Sequence, residues 1–579
     1  MTVSSPEWST STFGNEDRLP RVPVPTLEDS RRRFLEWCAP LLTPDELAET
    51  EAAVAEFVAG PGPELQARLE EYDRSPGVRS WLDTFWPYRY LGRRDRIALN
   101  ANFFFLFQDS PLGQVERAAE LTASAVDYKL KLDGELVPPV LLRGTPQSMV
   151  QHKYLFSATR IPGGLLDTAR TRYPSPERHI VVFSKGTPFR MDVLAEDGRP
   201  YSPAQLADGL RAILKDDHVT DVPAGPFTTK ARAEWAASRA ALLEAGNAAA
   251  LETIETALFC LCLDDFTPSN TLEAGDRLLY GHNRWYDKAV SLVVFEDGTA
   301  GINVEHCELD GTTILGFTDA LLSVSREERE PADGVPGYEV VEFTLTDALR
   351  EDARAAREAF QAYADATATQ TVSFDFGANR AKELGMSPDA FAQMSYQLAH
   401  RRAKGLTGAT YESIATRQFQ NGRTEAMRVV TPEVVRFADV MTDEHATAEE
   451  KREAFRAAAA KHVARAKECQ AGDAPEQHLW ELQLIGKRRG DTETPALYSS
   501  PGWLKMRDDY LSTSSAPSVN IQYFGFGSTS PQCIGIAYVL LPDRWNLYLS
   551  TPKHVSAEMY RFADELTKAV AELQELLAE

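Results

Sequence analysis

Apolar positions in this chain recur with two periods, one helical and one strand-like, and their alternation predicts a mixed α/β protein. Helical spacing runs from Leu27 to Ala59, where Gly60-Pro61-Gly62-Pro63 breaks it, and a second helix precedes an aromatic-rich segment from Trp81 to Tyr90. Ahead of the first helix, Leu19–Pro25 holds three prolines and is predicted to be extended. Strands are predicted at Ile180–Phe183, Arg190–Leu194, Val290–Phe295 and Gly301–Glu305. Helices alternate with them at Ala204–Leu214 and Lys230–Cys262, and Leu345–Thr367 forms a long Ala/Glu/Arg-rich helix. The last third repeats the alternation, with strands at Thr371–Phe376, Val519–Phe524 and Ile534–Leu541. Its helices fall at Pro388–Lys404, Ala448–Cys469, Pro475–Gly486 and from Ser556 onward, and Lys487–Pro501 is predicted as a loop. The polar opening, residues 1–18, is predicted to be a disordered tail.

Composition narrows the class. A chain of 579 residues needs more than one core. Its 43% hydrophobic and 25% charged content is that of a soluble globular protein. A net charge of −24 argues against a nucleic-acid scaffold, which needs a basic face, and suits a small cationic substrate. No apolar run reaches the roughly 18 residues of a membrane span, and the first residues lack a signal-peptide core. The six cysteines, Cys38, Cys260, Cys262, Cys307, Cys469 and Cys533, have neither zinc spacing nor a disulfide framework. A cytoplasmic monomer with no metal, no membrane contact and no nucleic-acid partner is expected.

The run Ala300–Gly311 carries candidate chemistry, His306-x-x-x-Asp310-Gly311, directly after a predicted strand. A histidine there can act as a base, a carboxylate four residues on can order it, and a glycine permits close backbone approach. Alone, the pattern allows several acyl-transfer classes and an ordinary structural histidine.

Its surroundings narrow those choices. Leu19-Pro-Arg-Val-Pro-Val-Pro25, Leu155-Phe156 to Arg160-Ile161-Pro162-Gly163, and Asn283-Arg284-Trp285-Tyr286-Asp287-Lys288 precede it, the last followed by Phe295-Glu296-Asp297-Gly298. Ser387-Pro388-Asp389-Ala390-Phe391, Thr410-Tyr411-Glu412-Ser413, Gly422-Arg423-Thr424 and Leu511-Ser512-Thr513-Ser514 follow it. In order and spacing these segments resemble the choline/carnitine O-acyltransferase family. The resemblance implies two α/β domains of the chloramphenicol acetyltransferase type, each with a mixed sheet, and an active-site tunnel between them. Residues 76–368 would form the catalytic domain, and 19–75 plus 369–579 a discontinuous domain carrying donor and acceptor contacts.

The resemblance also implies roles. His306 would be the general base for direct attack of the acceptor hydroxyl on an acyl thioester. Asp310 would pair with Arg423 to orient the site. Ser514 would donate to the tetrahedral oxyanion, although Ser512-Thr513-Ser514 reads by composition as a polar turn. Acyl-CoA would be the co-substrate, with no tightly bound cofactor, and would be met by Lys382, Arg380 and Asp389, the last also a partial helix cap. Two lysines usual in the family are replaced by Ala378 and Gly385. CoA would then be held less firmly, or the donor would be an acyl carrier protein, whose phosphopantetheine lacks the 3′-phosphate.

A small hydroxyl-bearing, cationic acceptor would meet Tyr411, Thr424, Ser512 and Tyr90, with Phe524 facing a trimethylammonium group. The family's carnitine-reading arginine is replaced by Gln477, which cannot make a bidentate charged pair with a carboxylate. Gln522, placed facing the acyl channel, favours short or functionalised acyl groups. Carnitine, choline and an unrelated hydroxyl or amine metabolite of a specialised biosynthetic step all stay open as acceptors. Two other classes compete. A peptide-synthetase condensation domain typically doubles the histidine, where this chain has Glu305. A degenerate module would bind acyl thioesters without turnover.

Overall fold

Phe103–Phe107 is five consecutive apolar residues without alternation, and such a strand needs cover on both faces. In the computed structural model, which describes residues 7–579, it lies inside an eight-stranded sheet with all five side chains buried. The sheet runs in the order Tyr338–Val340, Thr187–Asp192, His179–Ser184, Cys260–Leu263, Val290–Val294, Ala300–Val304, Phe103–Phe107 and Ile521–Phe526. Pairings on either side of Cys260–Leu263 are parallel and the others are antiparallel, so the sheet is mixed.

The chain divides into two compact units, each assembled from separated stretches. The first comprises residues through Leu19, Trp86–Thr367 and Ala516–Gly527; the second comprises Pro20–Phe85, Ala368–Ser515 and Ser528–Glu579. The second unit has a six-stranded mixed sheet in the order Thr367–Phe374, Trp545–Pro552, Ile534–Leu540, Leu511–Ser515, Thr410–Ala415 and Thr424–Arg428. Helix Pro388–Lys404 packs beside helices Ala448–Gln470 and Ser556–Ala578. The fold class is the predicted one: α/β, two units, each built on a mixed sheet. Among the described residues no helix is long and apolar enough to cross a membrane. All six cysteines are free and buried.

Several expectations are corrected. Residues 7–18 are ordered: Asn15 exchanges hydrogen bonds with Ser9, Thr12 Oγ1 donates to the Val137 carbonyl at 2.6 Å, and Glu16 accepts from Ser148 Oγ and Met149 N. Residues 1–6 lie outside the described residues. Leu27–Ala59 is two helices, because Thr43 and Glu46 form a capping box with Pro44 at the first helical position. Lys230–Cys262 is also two helices, Arg232–Glu244 and Ala248–Thr256, ended by Gly246 at φ 89° and followed by the buried strand Cys260–Leu263. The predicted loop Lys487–Pro501 contains the short helical turn Ala496–Ser499. The unit boundaries differ from 75/76 because Trp81 donates to the Pro23 carbonyl and Phe85 packs on Trp480. Ala516–Gly527 joins the first unit because its strand pairs with Phe103–Phe107.

Candidate active site

In the first unit, strand Ala300–Val304 ends at Glu305 and His306. Glu305 is 2% exposed, and a carboxylate so buried needs a partner. Arg160 supplies it at 3.2 Å, pairs also with Asp167 at 2.7 Å, and donates to the Tyr90 carbonyl at 2.7 Å. Asp167 in turn takes Arg232 and Arg94, and Arg232 continues to Asp287. Burial works against the Asp167 charge, yet Arg232 and Arg160 hold its carboxyl below the ordinary range. One buried guanidinium, Arg160, therefore fixes both the residue preceding His306 and the backbone of Tyr90.

The His306 ring stacks on Tyr90 with centroids 4.9 Å apart and meets the edge of Phe103 at 5.1 Å. Its side chain is 27% exposed, and Nδ1 lies 3.6 Å from Asp310 Oδ1, an ion-pair distance longer than a hydrogen bond. Asp310 occupies the N-cap position of helix Gly311–Ser323, yet its side chain makes no capping bond. Gln151 holds it instead: Nε2 donates to Asp310 Oδ2 at 2.9 Å, while Oε1 accepts from Asp310 N at 2.9 Å and from Thr313 Oγ1 at 2.7 Å. A Cβ at Gly311 would meet nothing within 4 Å, so the expected close approach at that glycine is not the reason for it. Phe524 stands edge-on to Phe103 and Phe105, continuing an aromatic row away from His306. Beyond it, Gln522 Nε2 donates to the Phe107 carbonyl and to Asp109, which lines a cavity of about 800 Å³.

In the second unit, Ser512-Thr513-Ser514 lies within strand Leu511–Ser515 and is not the turn its composition suggests. The strand is parallel to both neighbours, with Tyr411 beside Ser512 on one side and Ala537 beside Ser514 on the other. Ser512 is buried and Ser514 half-buried. Thr424 opens strand Thr424–Arg428, with Arg423 buried just before it. Gln477 is 1% exposed and donates to the Thr424 carbonyl at 3.0 Å. Near Tyr411 the guanidinium of Arg428 lies 5.5 Å from the ring centroid, but it is paired with Glu476 and Asp509.

The proposed donor contacts lie on two successive helices of the same unit. Helix Ala378–Glu383 carries exposed Lys382 and half-buried Arg380, the latter bonded to Gln574 and Glu383. Gly385 adopts φ 75° after that helix, a conformation that favours glycine. Asp389 lies in the first turn of helix Pro388–Lys404, whose N-cap is Ser387; its carboxylate turns to Tyr538 and His462 and makes no cap.

The geometry thus gathers His306, Asp310 and Tyr90 in the first unit, with Phe524 one ring further. In the second it gathers Tyr411 with Ser512, and Thr424 with Gln477. Residues that sequence reasoning missed include Gln151, which no pattern marks, and the Arg160–Glu305 pair. Arg160 sits in the quoted Arg-Ile-Pro-Gly segment, and a buried-charge argument could have found its partner.

Comparison with known proteins gives the same family across the chain. A family model described as Choline/Carnitine o-acyltransferase matches residues 22–568. Carnitine O-palmitoyltransferase 2, mitochondrial, of Mus musculus is 32% identical, with 92% of this chain and 88% of that protein covered. Carnitine O-acetyltransferase of Homo sapiens is 29% identical, with 97% and 94% covered. On this match over nearly its whole length, the chain belongs to the choline/carnitine O-acyltransferase family and is a CoA-dependent O-acyltransferase.

Proposed function

We propose that the chain moves a short or functionalised acyl group from acyl-CoA to the hydroxyl of a small carnitine- or choline-like acceptor, with His306 as general base. The observation that carries this reading is the His306 imidazole: partly accessible, clamped by Tyr90 and Phe103, with Nδ1 directed at buried Asp310. A carboxylate beside Nδ1 keeps a proton there and leaves the Nε2 lone pair to take the acceptor's hydroxyl proton. The acceptor oxygen then attacks the thioester carbonyl carbon. Collapse of the tetrahedral intermediate breaks the C–S bond, and the departing CoA sulfur receives the proton from His306. Ser514 donates its hydroxyl to the oxyanion, a role in which one donor is typically worth about 10²–10³ in kcat. Asp310 and Arg423 orient, Tyr90, Tyr411, Thr424, Ser512 and Phe524 meet the acceptor, and Lys382, Arg380 and Asp389 meet the donor.

A specific observation favours a second reading of the acceptor. Gln477 is neutral, and its amide is spent on the Thr424 carbonyl. An acceptor carboxylate would find no bidentate cation there. An acceptor lacking the carboxylate, choline-like or an unrelated hydroxyl metabolite, suits that wall better. At the donor end, Ala378 and Gly385 supply no ammonium, which favours a loosely held CoA or a carrier-bound phosphopantetheine.

Free-thiol release, with short acyl-CoAs offered to carnitine, choline and a panel of hydroxy metabolites, tests both readings. Carnitine turnover is expected to be poor beside at least one other acceptor; efficient carnitine acetylation at low KM overturns the second reading. His306→Ala is expected to lower kcat about 10²–10⁴-fold. Equal background rates for wild type and variant across the acceptor panel would leave only a thioester-binding module.

A further inference from the structure

Behind strand Leu511–Ser515 lies a buried cluster of titratable groups of which acyl transfer as described uses only Asp389. Strand alternation sends Ser512 and Ser514 to one face of the sheet and Thr513 to the other. On that other face Thr513 Oγ1 accepts from Gln393 Nε2 at 2.9 Å and donates to the Tyr411 carbonyl at 2.9 Å. Gln393 Nε2 also reaches Tyr538 Oη at 3.0 Å, and Tyr538 donates to Asp389 Oδ1 at 2.5 Å. Asp389 Oδ2 and Glu412 Oε2 lie 3.4 and 3.2 Å from the same nitrogen, His462 Nε2. The Asp389 side chain is 42% exposed, yet both of its oxygens point inward to these partners. Glu412, His462, Gln393, Thr513 and Tyr538 are all at most 5% exposed.

An imidazole between two carboxylates in so dry a place is held as the imidazolium. Burial alone would lower the His462 pKa, but Glu412 and Asp389 raise it to about 10. Burial and the neighbouring Asp389 charge raise Glu412 to about 8. Burial opposes the Asp389 charge, yet hydrogen bonds from His462, Glu412 and Tyr538 bring it down to about 2. The imidazolium thus faces the Asp389 carboxylate, with Glu412 pushed toward its neutral form. The same three residues have the spacing of a metal-ligand set. His462 Nε2 already pairs with both carboxylates without an ion.

We infer that Glu412, His462, Tyr538 and Gln393 are positioning residues of the acyl transfer: with Asp389 they lock Thr513 from behind and so fix the strand from which Ser514 projects. The inference rests on the proposed role of Ser514 as oxyanion donor. The network also joins Asp389, assigned to the CoA end, to the strand of the oxyanion donor, through two side chains. A transition-state donor displaced by a fraction of an ångström loses rate while ground-state binding is retained.

The test uses the full chain in thiol-release kinetics with acyl-CoA, with His306→Ala as reference. Thr513→Val keeps shape and removes the hydroxyl; Thr513→Ser keeps the hydroxyl. We expect Thr513→Val and Gln393→Leu each to lower kcat by about tenfold or more, with the KM for acyl-CoA changed less than about twofold. Thr513→Ser stays near wild type. The double variant is no slower than the slower single one, because both cut the same chain. His462→Ala loses more than His462→Gln, which keeps a donor toward the carboxylates. Wild-type kcat in Thr513→Val, or losses that multiply in the double variant, overturns the inference. Zinc at one equivalent per chain by elemental analysis, abolished by His462→Ala, overturns the reading of the cluster as an ion-free positioning network. If His306→Ala is itself as active as wild type, the acyl-transfer reading fails, a result distinct from either of these.

Discussion

Gln151 is the residue on which the Asp310 carboxylate depends, since it binds both the side chain and the backbone of that residue. Gln151→Glu would set a second carboxylate against Asp310 Oδ2 where an amide donor now stands. Like charges at that distance repel strongly in a buried site, and the protonation or displacement that relieves them disturbs the group facing His306 Nδ1. We expect kcat to fall by about tenfold or more while circular dichroism is unchanged, and Gln151→Asn to be milder. A Gln151→Glu enzyme at full rate would show that Asp310 does not orient the base. A second residue-scale prediction concerns His478, beside Gln477. Gln66 donates to the Pro25 carbonyl and Glu70, so its oxygen faces His478 Nε2, which must therefore donate; Nδ1 then accepts from Ser30. Burial pushes this neutral histidine down to about 3. An unfolded chain takes up a proton below about pH 6.5 that the folded one refuses. Stability from this group is complete above that pH and is lost as pH falls toward 3, by up to about 1.4 kcal/mol per pH unit. His478→Gln should flatten the fall in urea midpoint between pH 7 and pH 4, and an unchanged slope refutes the assignment. His306 and Asp310 were legible because they are neighbours in sequence. Gln151 was not, because the fold alone brings it there.

At the scale of elements, the strands that carry chemistry were the hardest to read. Ala300–Val304 was visible because it ends a clear hairpin-like pair with Val290–Val294. Phe103–Phe107 gives no alternation, and Thr410–Ala415 and Leu511–Ser515 are rich in Thr and Ser, residues equally at home in turns. What makes Leu511–Ser515 a strand is pairing on both sides with partners remote in sequence, which composition cannot register. Helices were not always separated where caps marked them, as at the Thr43 capping box. They were run together where a short linker, such as Gly246-Asn247, kept the apolar spacing in phase. The His306 strand also explains a glycine. A Cβ on Gly301 would lie 2.4 Å from the Phe105 carbonyl oxygen and 2.6 Å from Leu278. A backbone oxygen in a paired strand cannot yield, so Gly301→Ala should cost about 1–3 kcal/mol and lower the thermal midpoint by a few degrees. Because the same strand delivers His306, kcat should fall as well. Retention of both midpoint and rate would mean that the sheet accommodates the methyl group.

For the whole molecule, the interleaving of the two units was only partly readable. The family's order of motifs implied a discontinuous second domain, but the transfer of Ala516–Gly527 to the first unit depends on a sheet edge offered by Phe103–Phe107, some four hundred residues earlier. Net charge, by contrast, is legible from sequence and bears on both substrates at once. With 61 basic and 85 acidic side chains, the protein presents a field that draws cations in and opposes anions. The proposed acceptor is a cation and the proposed donor, acyl-CoA, is a polyanion, so salt should act on them with opposite sign. Raising ionic strength from about 0.01 M to about 0.15 M shortens the screening length from about 30 Å to about 8 Å. Across that range the KM for a trimethylammonium acceptor should rise and the KM for acyl-CoA should fall, each by about twofold or more, with kcat little changed. A neutral hydroxyl acceptor should show no rise. If the preferred acceptor's KM is flat while that for acyl-CoA falls, the acceptor is not a cation, and within the second reading an unrelated hydroxyl metabolite gains the support that choline-like recognition loses.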